Sequence, residues 1–158
     1  MENKYELRMY GLVAYQLCGT IHAGIQYQHA VVEYGLKNFN TDEYQKWAKI
    51  DKTSIILNGG TTNLNKEKPG TLNQYLSKLK EIGIEVVEFY EPDLGDQLTA
   101  IVFILDERVF NREEYPDLIF NDPISYNSWK IKFNDTEENV KKIIQLRELL
   151  DPKKVKLA

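Results

Sequence analysis

Four polar residues share one ridge: His22, Gln26, His29 and Glu33 stand four, three and four apart, the spacing that brings side chains together on a helix. Imidazoles move protons near neutral pH, and a glutamine beside them can orient a partner. A metal clasp by the two histidines is disfavoured, because seven residues of helix separate them by about 10 Å of rise. His29 also lies on a stripe with Ile25 and Val32, where a histidine equally reads as a satisfied core residue. Further on, Asn58-Gly59-Gly60-Thr61-Thr62-Asn63 joins two glycines, which let backbone N–H groups approach a phosphate, to two hydroxyls. The same residues make an ordinary glycine turn, and the segment lacks the lysine of a P-loop. A third group, Glu91-Pro92-Asp93, offers carboxylates that accept from ribose hydroxyls or base amines, or act on a proton, or simply serve a turn.

The elements that must hold these residues follow from periodicity. Leu7 to Leu17 is short, apolar and closed by Cys18-Gly19-Thr20, which reads as a buried strand running into a helix with Thr20 as its N-cap. From Ile21 to Lys37, His22, Ile25, His29, Val32 and Leu36 recur at helical spacing, and a short cover helix is expected over Thr41 to Lys49. Thr53 to Leu57 is a β-branched strand stopped by Asn58-Gly59-Gly60. Thr71 and Gln74 form a capping-box pattern ahead of a helix that ends at Gly83. Ile84 to Tyr90 and Thr99 to Leu105 are strands joined by a loop too short for a crossover, hence antiparallel. Residues 107 to 133 read as an irregular flap with one short helix. A last helix opens at Asp135 with Glu138 as its capping partner and stops before Pro152, leaving residues 153 to 158 as a loose tail.

Strand, helix, strand, helix, strand makes the first three strands parallel if the crossovers return to one sheet. The expectation is therefore a single α/β domain spanning 1–158, with a four-stranded mixed sheet of three parallel strands and one antiparallel. Helices cover both faces, and residues 107–158 form a C-terminal helical extension. In such sheets ligands bind at the carboxyl ends of the strands. Thr20, His22, Gln26, His29, Asn58, Gly59, Gly60, Thr61, Thr62, Glu91, Asp93, Gln97 and Thr99 gather there as candidate binding residues.

The helix Gly24-Ile25-Gln26-Tyr27-Gln28-His29-Ala30-Val31 resembles that of the Pth2-type peptidyl-tRNA hydrolases, in which a lysine is followed by small residues, a glutamine and a Ser-His-Ala or close variant. Gln26, His29 and Ala30 match, and Thr99-Ala100-Ile101 looks like the family's last strand. The resemblance covers about residues 6 to 106 and implies a four-stranded mixed sheet, a homodimer and cleavage of the ester joining a peptide to tRNA. Carried over, His29 matches the family histidine, Thr99 a strand-start threonine, and Asp93 or Glu91 loosely a loop carboxylate. His22 stands where the family has its catalytic lysine. An imidazole is not a permanent cation for an oxyanion or phosphate. Lysine-less members of this type look like viral gene products.

Two readings follow. In the first, the chain is a nucleotide-binding protein on a hydrolase-like scaffold that sequesters a cyclic or ADP-ribose-type defence nucleotide without turnover. In the second, it is a peptidyl-tRNA hydrolase acting on the tRNA 3′ end, with His22 or His29 as general acid/base and Asp93 as orienter. Lys66, Lys68, Lys78 and Lys80 are candidates for contact with a tRNA stem, diluted by Glu67 and Glu81. The net charge of −4 argues against non-specific binding of long nucleic acid. Lone Cys18 forms no internal disulfide, no signal peptide or membrane-spanning run is read, and the chain is expected to be cytoplasmic with no cofactor and no metal. Trp129, Tyr126 and Phe133 read either as a partner surface or as cover for the sheet.

Overall fold

The strands form where apolar residues are continuous rather than alternating, because both faces of the sheet are covered. The computed structural model describes residues 4–115, 118 and 122–158. Its strands are β1 (Leu7–Val13), β2 (Thr53–Asn58), β3 (Val87–Glu91) and β4 (Gln97–Asp106), and they lie in the order β2-β1-β4-β3. The helices are α1 (Tyr15–Asn38), α2 (Asp42–Lys46), α3 (Thr71–Ile82), α4 (Glu107–Phe110), α5 (Pro123–Phe133) and α6 (Glu137–Leu149).

Three mutually paired parallel strands are not what the sheet contains. Only β1 and β2 form a parallel pair, while β4 sits between β1 and β3 and is antiparallel to both. The short loop makes β3 and β4 an antiparallel hairpin, and β4 is the member of that hairpin that pairs with β1. Two reversals restore a common direction, so the carboxyl ends of β1, β2 and β3 still share one edge with the start of β4.

Leu7, Met9, Val13, Ala100, Val102 and Ile104 pack with α1, whereas Leu12, Ile101, Phe103 and Leu105 pack with the opposite layer of α3, α5 and α6. On α1 the apolar stripe expected from Ile25, Val32 and Leu36 faces outward, and these residues are 44%, 54% and 74% exposed. The buried side is Ala23, Gln26, Tyr27, Ala30 and Tyr34. Small residues at 23 and 30 bring the helix close to the sheet while the two tyrosines fill the space beside it, so packing selects the less hydrophobic of two available faces.

Several boundaries moved. Helical structure begins at Tyr15, so the first strand is shorter than expected and Thr20 lies inside α1 rather than capping it. The α3 cap is Gly70, whose N–H donates to Asn73 Oδ1 at 3.0 Å, in place of a Thr71–Gln74 box. The α6 cap is Thr136, which accepts from the Asn139 N–H at 3.2 Å. Asp135 instead joins three helices, since its nearly buried carboxylate takes Arg108 Nη1 at 3.0 Å, Trp129 Nε1 at 3.1 Å and Asn139 Nδ2 at 2.8 Å. Trp129 is sealed in the core, with Tyr126 and Phe133 partly buried against it, so these aromatics cover the sheet. The expected loose tail is anchored, with Asn58 N–H donating to the Lys156 carbonyl and Ala158 N–H to that of Ile56. That pairing covers the exposed edge of β2. Of the expected flap, residues 116, 117 and 119–121 lie outside the described residues.

Candidate functional site

The shared strand edge is knitted by backbone hydrogen bonds before any side chain contributes. Ala14 N–H donates to the Thr99 carbonyl at 2.8 Å, Gly59 N–H to Val13 at 2.8 Å, and Gln16 N–H to Gly60 at 3.2 Å. A Cβ on Gly59 would lie 2.9 Å from the Val13 carbonyl oxygen, so only glycine lets the second loop close onto the end of β1. Inside α1, Gly19 adopts φ 58° and ψ −171°, which breaks the helix after one turn and restarts it at Thr20.

A three-residue hydrogen-bonded chain runs from β4 through α1 to β3. Thr99 Oγ1 donates to Gln26 Oε1 at 2.6 Å, and Gln26 Nε2 donates to Glu91 Oε2 at 2.7 Å. The direction is dictated chemically: an ionised carboxylate only accepts, so the amide nitrogen faces Glu91 and the amide oxygen must take the threonine proton. Glu91 Oε1 also accepts from the Asp93 N–H at 3.4 Å. The Gln26 hydrogen bond first, then that of Asp93 and the nearby His29, hold the Glu91 carboxyl below the usual carboxylate range.

Thr99 reaches Gln26 because of a β-bulge. Phe89 pairs with Ala100 but Tyr90 pairs with Leu98, leaving Thr99 as the extra residue. Strict alternation would point Thr99 the same way as Ile101, away from α1; the bulge turns it toward the helix. Thr99 is fully buried and Gln26 is 7% exposed. Thr99→Val is therefore expected to cost about 1–3 kcal/mol, the penalty for a buried amide oxygen left without its donor, with Thr99→Ser recovering most of it. Urea unfolding midpoints check this; a valine variant as stable as the parent would refute the chain's role.

His29 is exposed and stacks on Phe89, with ring centroids 4.7 Å apart and planes 20° from parallel. Phe89 covers one side of the ring, so the core-histidine reading fails. His22 is exposed one turn before Gln26, and Thr20 Oγ1 lies 3.5 Å from Tyr15 Oη. Cys18 is buried nearby, and burial followed by the Glu91 charge pushes its thiol up, which keeps it a thiol rather than a nucleophilic thiolate.

The second loop shares the edge but uses its donors internally. Gly60 N–H donates to Asn58 Oδ1 at 2.8 Å, and Thr61 N–H donates to Thr71 Oγ1 at 2.9 Å. Thr61 Oγ1 accepts from the Thr71 N–H at 3.0 Å. With the Gly59 bond, the N–H groups of both glycines and of Thr61 already have partners, so the segment is a brace between β1 and α3. Thr62 Oγ1 is buried without a hydrogen-bond partner. Asp93 contributes its N–H to Glu91, and Gln97 opens β4 opposite Glu91.

The structure thus brings Gln26, His29, Glu91 and Thr99 together and joins Asn58 to Thr62 to them only through backbone. Sequence reasoning missed Phe89 and Cys18. Phe89 was findable, since alternation along β3 puts it on the same face as Val87 and Glu91. Among the described residues no three His, Cys, Asp or Glu side chains gather as a metal site, and no helix is long and apolar enough to cross a membrane. No family profile matches the chain, and no curated protein is found similar to it.

Proposed function

We propose that this edge binds a nucleotide-derived ligand of cyclic or ADP-ribose type and holds it without turnover, on a scaffold like that of the peptidyl-tRNA hydrolases. The observation that carries the reading is the Thr99–Gln26–Glu91 chain ending in an ionised carboxylate beside the exposed His29 ring, which stacks on the partly buried Phe89. A carboxylate with two of its lone-pair positions filled keeps capacity for a ribose hydroxyl or base amine. The open side of the His29 ring offers a planar base a stacking surface. Phosphates are repelled by Glu91 and belong toward the restart of α1 at Thr20 and His22, where the helix dipole is positive.

Retention without cleavage is favoured by what surrounds the carboxylate. Gln26 and the Asp93 N–H pin it, and the only cysteine is a buried thiol. The test is to equilibrate the protein with ADP-ribose, cyclic dinucleotides and N-acetyl-aminoacyl-tRNA, then heat and recover the small molecules. An intact nucleotide is expected; cleaved nucleotide, or release of the acylated amino acid from tRNA, overturns the reading.

The partner surface is the outward stripe of α1. Ile21, Ile25, Val32 and Leu36 are 78%, 44%, 54% and 74% exposed, and they are symmetric about a point between Gln28 and His29. An antiparallel second copy of α1 would set Ile21 against Leu36 and Ile25 against Val32, the self-matching pattern that a two-fold dimer requires. The protein is accordingly a homodimer. Light scattering is expected to give a dimer for the parent and a monomer for Ile25→Glu with Leu36→Glu, with unchanged helical circular dichroism. A monomeric parent would contradict it.

A further inference from the structure

The sheet face opposite α1 carries a cavity of about 480 Å³, within the roughly 300–1,000 Å³ of small-molecule sites. Its walls are apolar: Tyr10 from β1, Ile55 and Leu57 from β2, and Leu146 from α6. Leu157, 73% exposed, belongs to the anchored tail that forms one side of the opening. Protein interiors are close-packed, so an apolar space this large forfeits contacts along its lining that an apolar guest would restore.

The charge around the walls is one-sided. Arg8, Arg112, Arg147 and Lys156 line the cavity, and among the described residues none of the lining is acidic. This occurs in a chain with 24 acidic and 20 basic residues. Two of these cations are oriented by neutral partners: Arg112 Nη2 donates to the Arg147 carbonyl at 2.6 Å, and Lys156 Nζ to that of Pro152 at 3.0 Å. Carbonyls position a charge without cancelling it. Arg8 pairs with Glu6 at 3.0 Å while its guanidinium lies 3.9 Å over the Phe110 ring. Asp151, outside the lining, is held low by the Lys153 N–H and also feels Arg112.

We propose that this cavity is a second binding site, separate from the strand edge, for a single-chain aliphatic carboxylate of fatty-acid type. The alkyl chain lies along Ile55, Leu57 and Leu146, and the carboxylate meets Arg112 and Lys156 at the opening. Charge-assisted hydrogen bonds at the head and apolar burial of the chain act on one molecule, which neither a neutral lipid nor an inorganic anion exploits in full.

The experiment is calorimetric titration of the full chain with decanoate and, as the charge-inverted control, decyltrimethylammonium. Saturable binding of one decanoate per chain is expected, with the ammonium compound weaker by roughly tenfold or more, the size of one lost charge-assisted contact. Arg112→Glu with Lys156→Glu should weaken decanoate by a similar factor while leaving thermal unfolding near the parent's, since both residues are exposed. Leu57→Trp, which fills the cavity, should abolish binding in a protein whose circular dichroism is unchanged. Should that variant not fold, the charge-reversal pair decides. Equal affinity for the two amphiphiles, insensitivity to the charge reversal, or no binding of decanoate overturns the proposal.

Discussion

Glu91→Ala is expected to weaken binding of ADP-ribose by roughly 10- to 100-fold, the range for removing hydrogen bonds to a charged group. The size follows from position rather than proximity. Glu91 is the acceptor at the end of the Thr99–Gln26 chain, so its removal takes away the acceptor proposed for the ligand and leaves the Gln26 amide without its carboxylate. Glu91→Gln keeps the shape but presents an amide where an anion stood, and should fall between the two. The pH dependence carries an independent sign. Because the folded protein holds this carboxyl below its ordinary value of 4.5, its charge persists through neutral pH and down past 4.5, and is lost only as pH falls through the lowered folded value. The contribution of Glu91 to affinity should be flat above 4.5 and decline below it in the parent, and that decline should vanish in Glu91→Ala. Isothermal titration of ADP-ribose across that range measures both. An alanine variant that binds as tightly as the parent would remove Glu91 from the site.

Asp135→Ala is expected to cost about 3–5 kcal/mol of stability, the range for breaking a buried ion pair by deleting one partner. Its side chain is 7% exposed and receives Arg108, the Trp129 indole and the Asn139 amide, besides the Thr136 N–H at 2.8 Å. Deleting it leaves three side-chain donors at the junction of α4, α5 and α6. Arg108 keeps Asp106, at 2.8 Å, which limits the loss on the α4 side. Trp129 and Asn139 keep no described side-chain acceptor in exchange. Asp135→Asn preserves the shape and removes the charge, so it should lose less than alanine. Urea unfolding followed by tryptophan fluorescence reads the difference; a loss below about 1 kcal/mol would mean that the cluster only decorates the surface.

Both residues illustrate what a sequence yields and what it withholds. That His22, Gln26, His29 and Glu33 share one helix was legible because helical spacing is local, although Gln26 turns to the sheet while both histidines stay exposed, and the β3–β4 hairpin was legible because so short a loop cannot carry a crossover. The convergence of Gln26, Glu91 and Thr99 at one edge was legible from chain direction alone. The Thr99 bulge was not, since it arises from a register shift between strands and leaves no local pattern. Likewise, which face of α1 is buried depends on how closely Ala23 and Ala30 approach the sheet, so the more hydrophobic stripe was the natural choice and the incorrect one. Asp135 read as a helix start because its spacing to Glu138 fits, yet its acceptors are engaged by the Trp129 indole of α5 and by Arg108 of α4, the latter 27 residues away and beyond any local pattern. The Gly59–Gly60 loop had the composition of a phosphate cradle. Its N–H groups were claimed by Val13, Asn58 and Thr71, and that competition becomes visible only once the chain is folded.

The central claim is that ligand and protein meet at Gln26, His29 and Glu91. It is tested most directly by titrating ADP-ribose into uniformly ¹⁵N-labelled protein while following the Gln26 side-chain amide, the His29 ring nitrogens and the Phe89 backbone N–H. Saturable shifts of all three at a common ligand concentration are the predicted result. Signals at those positions that stay fixed while residues of α3 or α6 move, or no shift anywhere at saturating ligand, would contradict it.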